Sequence, residues 1–186
     1  MKPKNSQGSF ILVWLLVLYF FYGAYKNQDN CGAAFRHDVK TLQDTGLHNV
    51  KLVPVQSTVS NLTKLTHAVK INNHTPRFGT EFTCYQIDCR IRGYMLQDNE
   101  VHLLLVDLKD STKTIIGVIP DITCANVKTS KFIKSFVGTT QEFETFKLPN
   151  NRVKDGIYTL TGVCFFDNAV PIKMQLHPVM DIVKQR

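Results

Sequence analysis

The hydrophobic period in the second half of this chain switches from two to about 3.6 and back, and that order restricts the fold more than any other feature. The run EFTCYQIDCRIRGYML at 81–96 puts Tyr85, Ile87, Cys89 and Ile91 on one side and Gln86, Asp88, Arg90 and Arg92 on the other. Such alternation predicts a half-buried strand. VHLLLVDL at 101–108 and KTIIGVIP at 113–120 read as two further strands, joined as an antiparallel hairpin by the polar KDST and ended by Pro120. KTSKFIKSFVGTTQEFETF at 128–146 then spaces Phe132, Ile133, Phe136 and Val137 as one amphipathic helix, weakest at Gly138. Lys128, Lys131 and Lys134 form a separate stripe, the ordinary solvated face of such a helix. NNRVKDG is a loop. IYTLTGVCFFD at 157–167 and IKMQLHPVMDI at 172–182 return to strand character. In the last run Met174, Leu176, Met180 and Ile182 share one parity, and Gln175, His177 and Asp181 the other.

Three strands, a helix and two strands are the element order of an OB-like barrel. The expected fold is therefore mainly β: a five-stranded OB-like barrel over 80–186 with one helix after its third strand, plugging one end. A β-sandwich is the alternative, but it does not need that helix.

The first 25 residues stand apart. Lys2 and Lys4 precede an uncharged run from Asn5 to Tyr25, and the next charge is Lys26. Ser6–Tyr25 is long enough, at about 1.5 Å per residue, to cross a hydrocarbon core of about 30 Å. The exits Phe21-Tyr22-Gly23 and Tyr22-Gly23-Ala24 place an aromatic where a signal peptidase needs a small residue. Tyr19, Phe20, Phe21, Tyr22 and Tyr25 suit a membrane interface. The reading is an uncleaved signal anchor over 1–25, with a cleaved signal peptide as the alternative. Two N-terminal lysines keep that end in the cytoplasm, so the rest lies outside it. Residues 26–79 are polar and mixed, a stalk or cover for the domain. TVSNLTKL suggests a short helix capped by Ser60 or Asn61, and Asn61 and Asn73 lie in N-x-T sequons.

Composition excludes a disordered chain, with 44% hydrophobic and 20% charged residues. The net charge of +7 is a mild excess that suits anionic surfaces without demanding them. Cysteines at 31, 84, 89, 124 and 164 match no zinc spacing. Cys84 and Cys89 differ by an odd number, so in a strand they face opposite ways. Cys89 and Cys164 share the apolar parity of neighbouring strands and read as two buried thiols. Phe165 and Phe166 are adjacent, so one ring must point out of the barrel. Packing under the 26–79 segment, with DVKTLQD held on the barrel, would cover it.

Five stretches carry a resemblance. They are HDVKTLQD at 37–44, EVHLLLVD at 100–107, TIIGVIPDITC at 114–124, LTGVCFFDNA at 160–169 and MQLHPVMDI at 174–182. Together they resemble a largely uncharacterised family of bacterial exported proteins, whose domain is OB-like or nuclease-like. That resemblance implies export and a barrel, and it matches His102 and His177 to the family's histidines. Val118 and Val101 stand where the family has an acid and a tyrosine, and the loop before the last strand is shorter.

Candidate site residues follow from those histidines: His102, His177, Asp98 and Glu100, with Asp181 as a further oxygen donor. Histidines titrate near neutral pH and serve as acids, bases or metal ligands. The ordinary reading of His177 is a polar residue on the wet side of a strand, with Pro178 marking an edge or bulge. Asp98, Glu100, Asp107 and Arg92 lie around one hairpin, a set that suits a divalent metal and a phosphate in a nuclease. Asp107 closes a strand, where turn chemistry alone explains an aspartate. The second and third strands contain no aromatic residue, which counts against stacked bases and so against nucleic acid. The leading expectation is a membrane-anchored envelope protein that binds a protein or envelope polymer and needs no cofactor. The alternative is a metal-dependent exported hydrolase.

Overall fold

A computed structural model describes residues 35–67, 70–168 and 174–185. The segment read as a signal anchor and Cys31 lie outside the described residues. Among the described residues no helix is long and apolar enough to cross a membrane.

Five strands close a mixed barrel in the order β2 (Thr83–Gln97), β3 (Glu100–Asp107), β4 (Thr114–Ile119), β8 (Met174–Lys184), β7 (Tyr158–Phe166) and back to β2. Only the β4–β8 pair within the barrel is parallel. This is OB-like connectivity, and the strands fall where period-two alternation predicts them. β2 closes the barrel because it is long: its first half pairs with β7 and its second with β3. Alternation sends Ile87, Cys89, Leu103, Leu105, Leu160, Cys164 and Leu176 inward to one apolar core. Asp98 and Asn99 make the two-residue turn between β2 and β3, both with positive φ of 52° and 64°. Such a turn needs residues that tolerate the left-handed region, as Asp and Asn do.

The helix predicted after the third strand is present, and one short helical turn precedes it. A short α3 (Ala125–Lys128) is followed by a turn and α4 (Ile133–Phe146), which runs through Gly138 unbroken. Phe136, Thr139, Phe143 and Phe146 are its buried face, and Phe143 and Phe146 join the barrel core. The three lysines therefore form no single stripe, since Lys131 lies in the turn.

The parity expected for β8 also fails halfway. Register shifts opposite Thr161 and Gly162 insert a bulge around Pro178. Val179 then turns into the core and Met180 outward. Gly162 permits this: a Cβ there would sit 2.9 Å from the Pro178 carbonyl oxygen.

Residues 35–82 wrap the outside. They contribute α1 (His37–Lys40), a 3-10 turn (Thr45–Asn49), β1 (Lys51–Ser57), α2 (Val59–Leu62) and a 3-10 turn (Gly79–Phe82). β1 pairs parallel to the start of β2, a strand that alternation did not reveal because its residues are mostly exposed. Thr58, not Ser60 or Asn61, caps α2 by accepting from Asn61 N. Phe35 and Val39 pack on Phe165, the outward ring, while Phe166 faces the core. A second layer joins Leu42 and Val50 to Cys84, Val163 and Phe136.

Two arginines hold this layer. Arg36 makes a buried forked pair with Glu81, at 2.7 Å and 2.5 Å, and donates to the Thr75 and Pro76 carbonyls. Glu81 also accepts the Phe166 backbone N–H at 2.9 Å. Arg77 grips Asp44 and donates to the Val39 carbonyl. A buried charge survives only when paired and hydrogen-bonded, and both arginines meet that condition.

Candidate functional site

The outer side of the barrel carries the chemistry, and the cover divides it into a closed part and an open part. Glu100 and His102 have outward parity on β3, and His177 has it on β8. Glu100 and His177 are nevertheless dry, at 3% and 1% exposure. The expectation of a wet His177 is thus corrected. It points out of the barrel, but its ring lies 5.5 Å from that of Phe165, which Phe35 and Val39 cover.

His177 Nε2 donates to Glu100 Oε1 at 3.2 Å. His102 Nε2 lies 3.9 Å from Glu100 Oε2, beyond hydrogen-bond reach. Lys40 is buried to 3% exposure, with its ammonium over the Phe165 ring. Burial pushes the His177 imidazole below its ordinary 6.5, against the pull of Glu100. Burial also raises Glu100, but the His177 contact and the nearby Lys40 outweigh it and hold the carboxyl below 4.5. His102 is lowered by burial and by His177. At neutral pH the cluster is therefore one carboxylate facing two neutral imidazoles, with His177 in the Nε2–H tautomer. Among the described residues, His177 Nδ1 and His102 Nε2 are buried without a hydrogen-bond partner.

The other sequence candidates separate. Asp98 belongs to the β2–β3 turn, where its positive φ accounts for its presence. Asp107 lies at the far end of β3 from Glu100, about 23 Å along the strand. It accepts backbone N–H groups of Ser60, Lys109 and Asp110, a turn and cap role. Arg92 lies near Asp107, beside Ser111, whose carbonyl it reaches at 3.2 Å. The hairpin set of Arg92, Asp98, Glu100 and Asp107 does not converge. Asp181 is exposed on β8 opposite Thr161. Among the described residues no group of three or more His, Cys, Asp or Glu side chains is placed to hold a metal ion.

The open part is a groove of about 270 Å³ on the outer face of β3 and β4. His102 and Leu104 from β3, Ile116 from β4 and Met95 from β2 line it. Cross-strand pairing sets them side by side: Leu104 faces Ile116, and Met95 faces His102. Met95 and the adjoining Leu96 are 53% and 68% exposed. His102 bridges the two parts, its neighbours being the groove on one side and Glu100 on the other.

Sequence reasoning found the histidines and Glu100. It missed Lys40, Arg36 and Glu81, which act from outside the barrel's own span. The Phe165-Phe166 pair was the one signal that the cover existed. Cys89 and Cys164 are buried free thiols, as their parity predicts, and so is Cys84; Cys124 is disulfide-bonded.

No family model, curated protein or solved structure matches this chain. Its function has to be read from the geometry of these outer faces.

Proposed function

We propose that this chain is an interaction module of the cell envelope. The apolar N-terminal stretch tethers it, its barrel lies outside the cytoplasm, and the outer face of β3 and β4 holds a protein or envelope polymer. The observation that supports this reading most is the groove of Met95, His102, Leu104 and Ile116. It lies on the central strands that OB barrels use for ligands, and its own Met95 and the adjoining Leu96 are large apolar side chains left in water. The acid–histidine cluster favours binding over catalysis, because Glu100 and His177 are shut away from any substrate. A metal-dependent hydrolase has no comparable support, since the oxygen and nitrogen donors are dispersed or dry.

Photo-crosslinking in intact envelopes tests the reading. A photoreactive residue replacing Met95 should give a discrete adduct that disappears in a Leu104→Asp background. The same residue replacing Lys131, away from the groove, should give none. Equal labelling from both positions would reject the groove as the contact. Recovery of the intact chain in the soluble fraction would reject the tether.

A further inference from the structure

A second concavity, of about 540 Å³, opens at the Asp107 end of the hairpin. Ile91, Val106 and Val153 form its apolar floor, and Arg90, Arg92, Lys109 and Arg152 stand around it. The fold has to work to bring them together. Arg90 and Arg92 share the outward parity of β2, and Lys109 follows β3. Arg152 arrives on a small hairpin, β5 (Lys147–Leu148) and β6 (Arg152–Val153), that docks on β2. The Tyr94 N–H donates to the Asn151 carbonyl at 3.0 Å. Only a glycine fits beside that bond, since a Cβ on Gly93 would meet the Asn151 oxygen at 2.8 Å.

Charge pairing separates these cations from the structural arginines. Arg36 and Arg77 each have a carboxylate within 4 Å. Among the described residues, none of the four cations of the cleft has one. The cleft also contains Asp107, whose oxygens accept backbone N–H groups, and Asp155, so four cations against two carboxylates leave a net charge of +2. A net positive hollow whose cations have no carboxylate in reach fits an anionic guest. Guanidinium forks match phosphate oxygens in pairs.

We propose that this cleft binds a phosphate group, gripped by Arg90, Arg92 and Arg152 with Lys109 at the rim. This goes beyond the groove reading: the two hollows meet at Arg92, which lines both, but the groove is otherwise mostly apolar and lies farther along β3. The same chemistry is offered by a soluble phosphate compound and by the headgroup of an anionic phospholipid.

The test is calorimetric titration of the full chain in non-ionic detergent. Inorganic pyrophosphate and glycerophosphoglycerol, the deacylated headgroup, are the two probes, with sulfate at matched ionic strength as the control. Saturable one-site binding of either probe, at least tenfold tighter than sulfate, is expected. Pyrophosphate alone points to a soluble phosphate compound, and the headgroup compound points to lipid. Arg90→Gln combined with Arg152→Gln should weaken binding at least tenfold, and Lys131→Gln should leave it unchanged. Circular dichroism checks that the exposed substitutions keep the fold. Absence of saturable binding by both probes overturns the proposal. So does sulfate binding as tightly, or a double variant that binds like the wild type.

Discussion

The two outer faces of the barrel use arginine in opposite ways. On the covered face, Arg36 and Arg77 are dry and turn most of their donors to carboxylates and carbonyls of the cover. On the open face, Arg90, Arg92 and Arg152 line a cleft without a carboxylate partner. The first pair serves chiefly to fasten segments of the cover to one another. The second set, apart from the Arg92 bond to the Ser111 carbonyl, leaves its donors to solvent. Burial and pairing, not residue type, thus separate a cation committed to the fold from one left exposed.

The largest expected effect breaks the covered side. Arg36→Ala strands the Glu81 carboxylate without its partner and should cost about 3–5 kcal/mol in urea unfolding. Arg90→Gln, measured the same way, should stay within about 0.5 kcal/mol of wild type. Comparable losses in both would erase the distinction. Next, Gly162→Ala drives a methyl group towards the Pro178 carbonyl and should cost about 1–3 kcal/mol.

Acid should act on the covered side first. His177 and His102 take up protons less readily in the fold than in the unfolded chain, because burial lowers both. The unfolded chain therefore binds more protons once pH falls through the ordinary 6.5, and stability falls with it. Glu100 acts lower down: its depressed value gives stability that is present above 4.5 and lost as pH drops through the folded value. Lys40 adds a fixed positive charge to the same cluster, and Asp167 a negative one. A His177→Gln variant should show a flatter stability curve between pH 7 and 5. An unchanged slope would mean that the imidazole stays wet.

The smallest effect sharpens the boundary between cover and barrel. Burial pushes the thiols of Cys89 and Cys164 up to about 12 and that of Cys84 up to about 11. None should react with iodoacetamide at pH 8 while the protein is folded. Under mild urea, Cys84, which lies beneath the cover, should react before the two core thiols if the cover loosens first. Simultaneous labelling would show that cover and barrel open as one unit.

The barrel was legible because alternation in β2, β3, β4 and β7 is a local signal that the core preserves. The bulge at Pro178 was not, since it arises from a close approach between Gly162 and a strand's backbone. β1 carries an exposed pattern, so period gave no hint of it. At the site, the histidines and Glu100 stood out by chemistry. Their burial did not, because it depends on Phe35, Val39 and Lys40 lying far upstream. Likewise Arg152 meets Arg90 and Arg92 only through a hairpin docked on a glycine, which no spacing rule anticipates.

Glu81 receives the guanidinium of Arg36 from one direction and the amide of Phe166 from another. A chain trimmed back to the five barrel strands would lose both Glu81 and Arg36, leaving the Phe166 N–H without its acceptor and the Phe165 ring bare. The smallest autonomous piece must then include Phe35, and any graft or domain swap should cut upstream of it. The wrapping therefore travels with the barrel as a single inheritable unit.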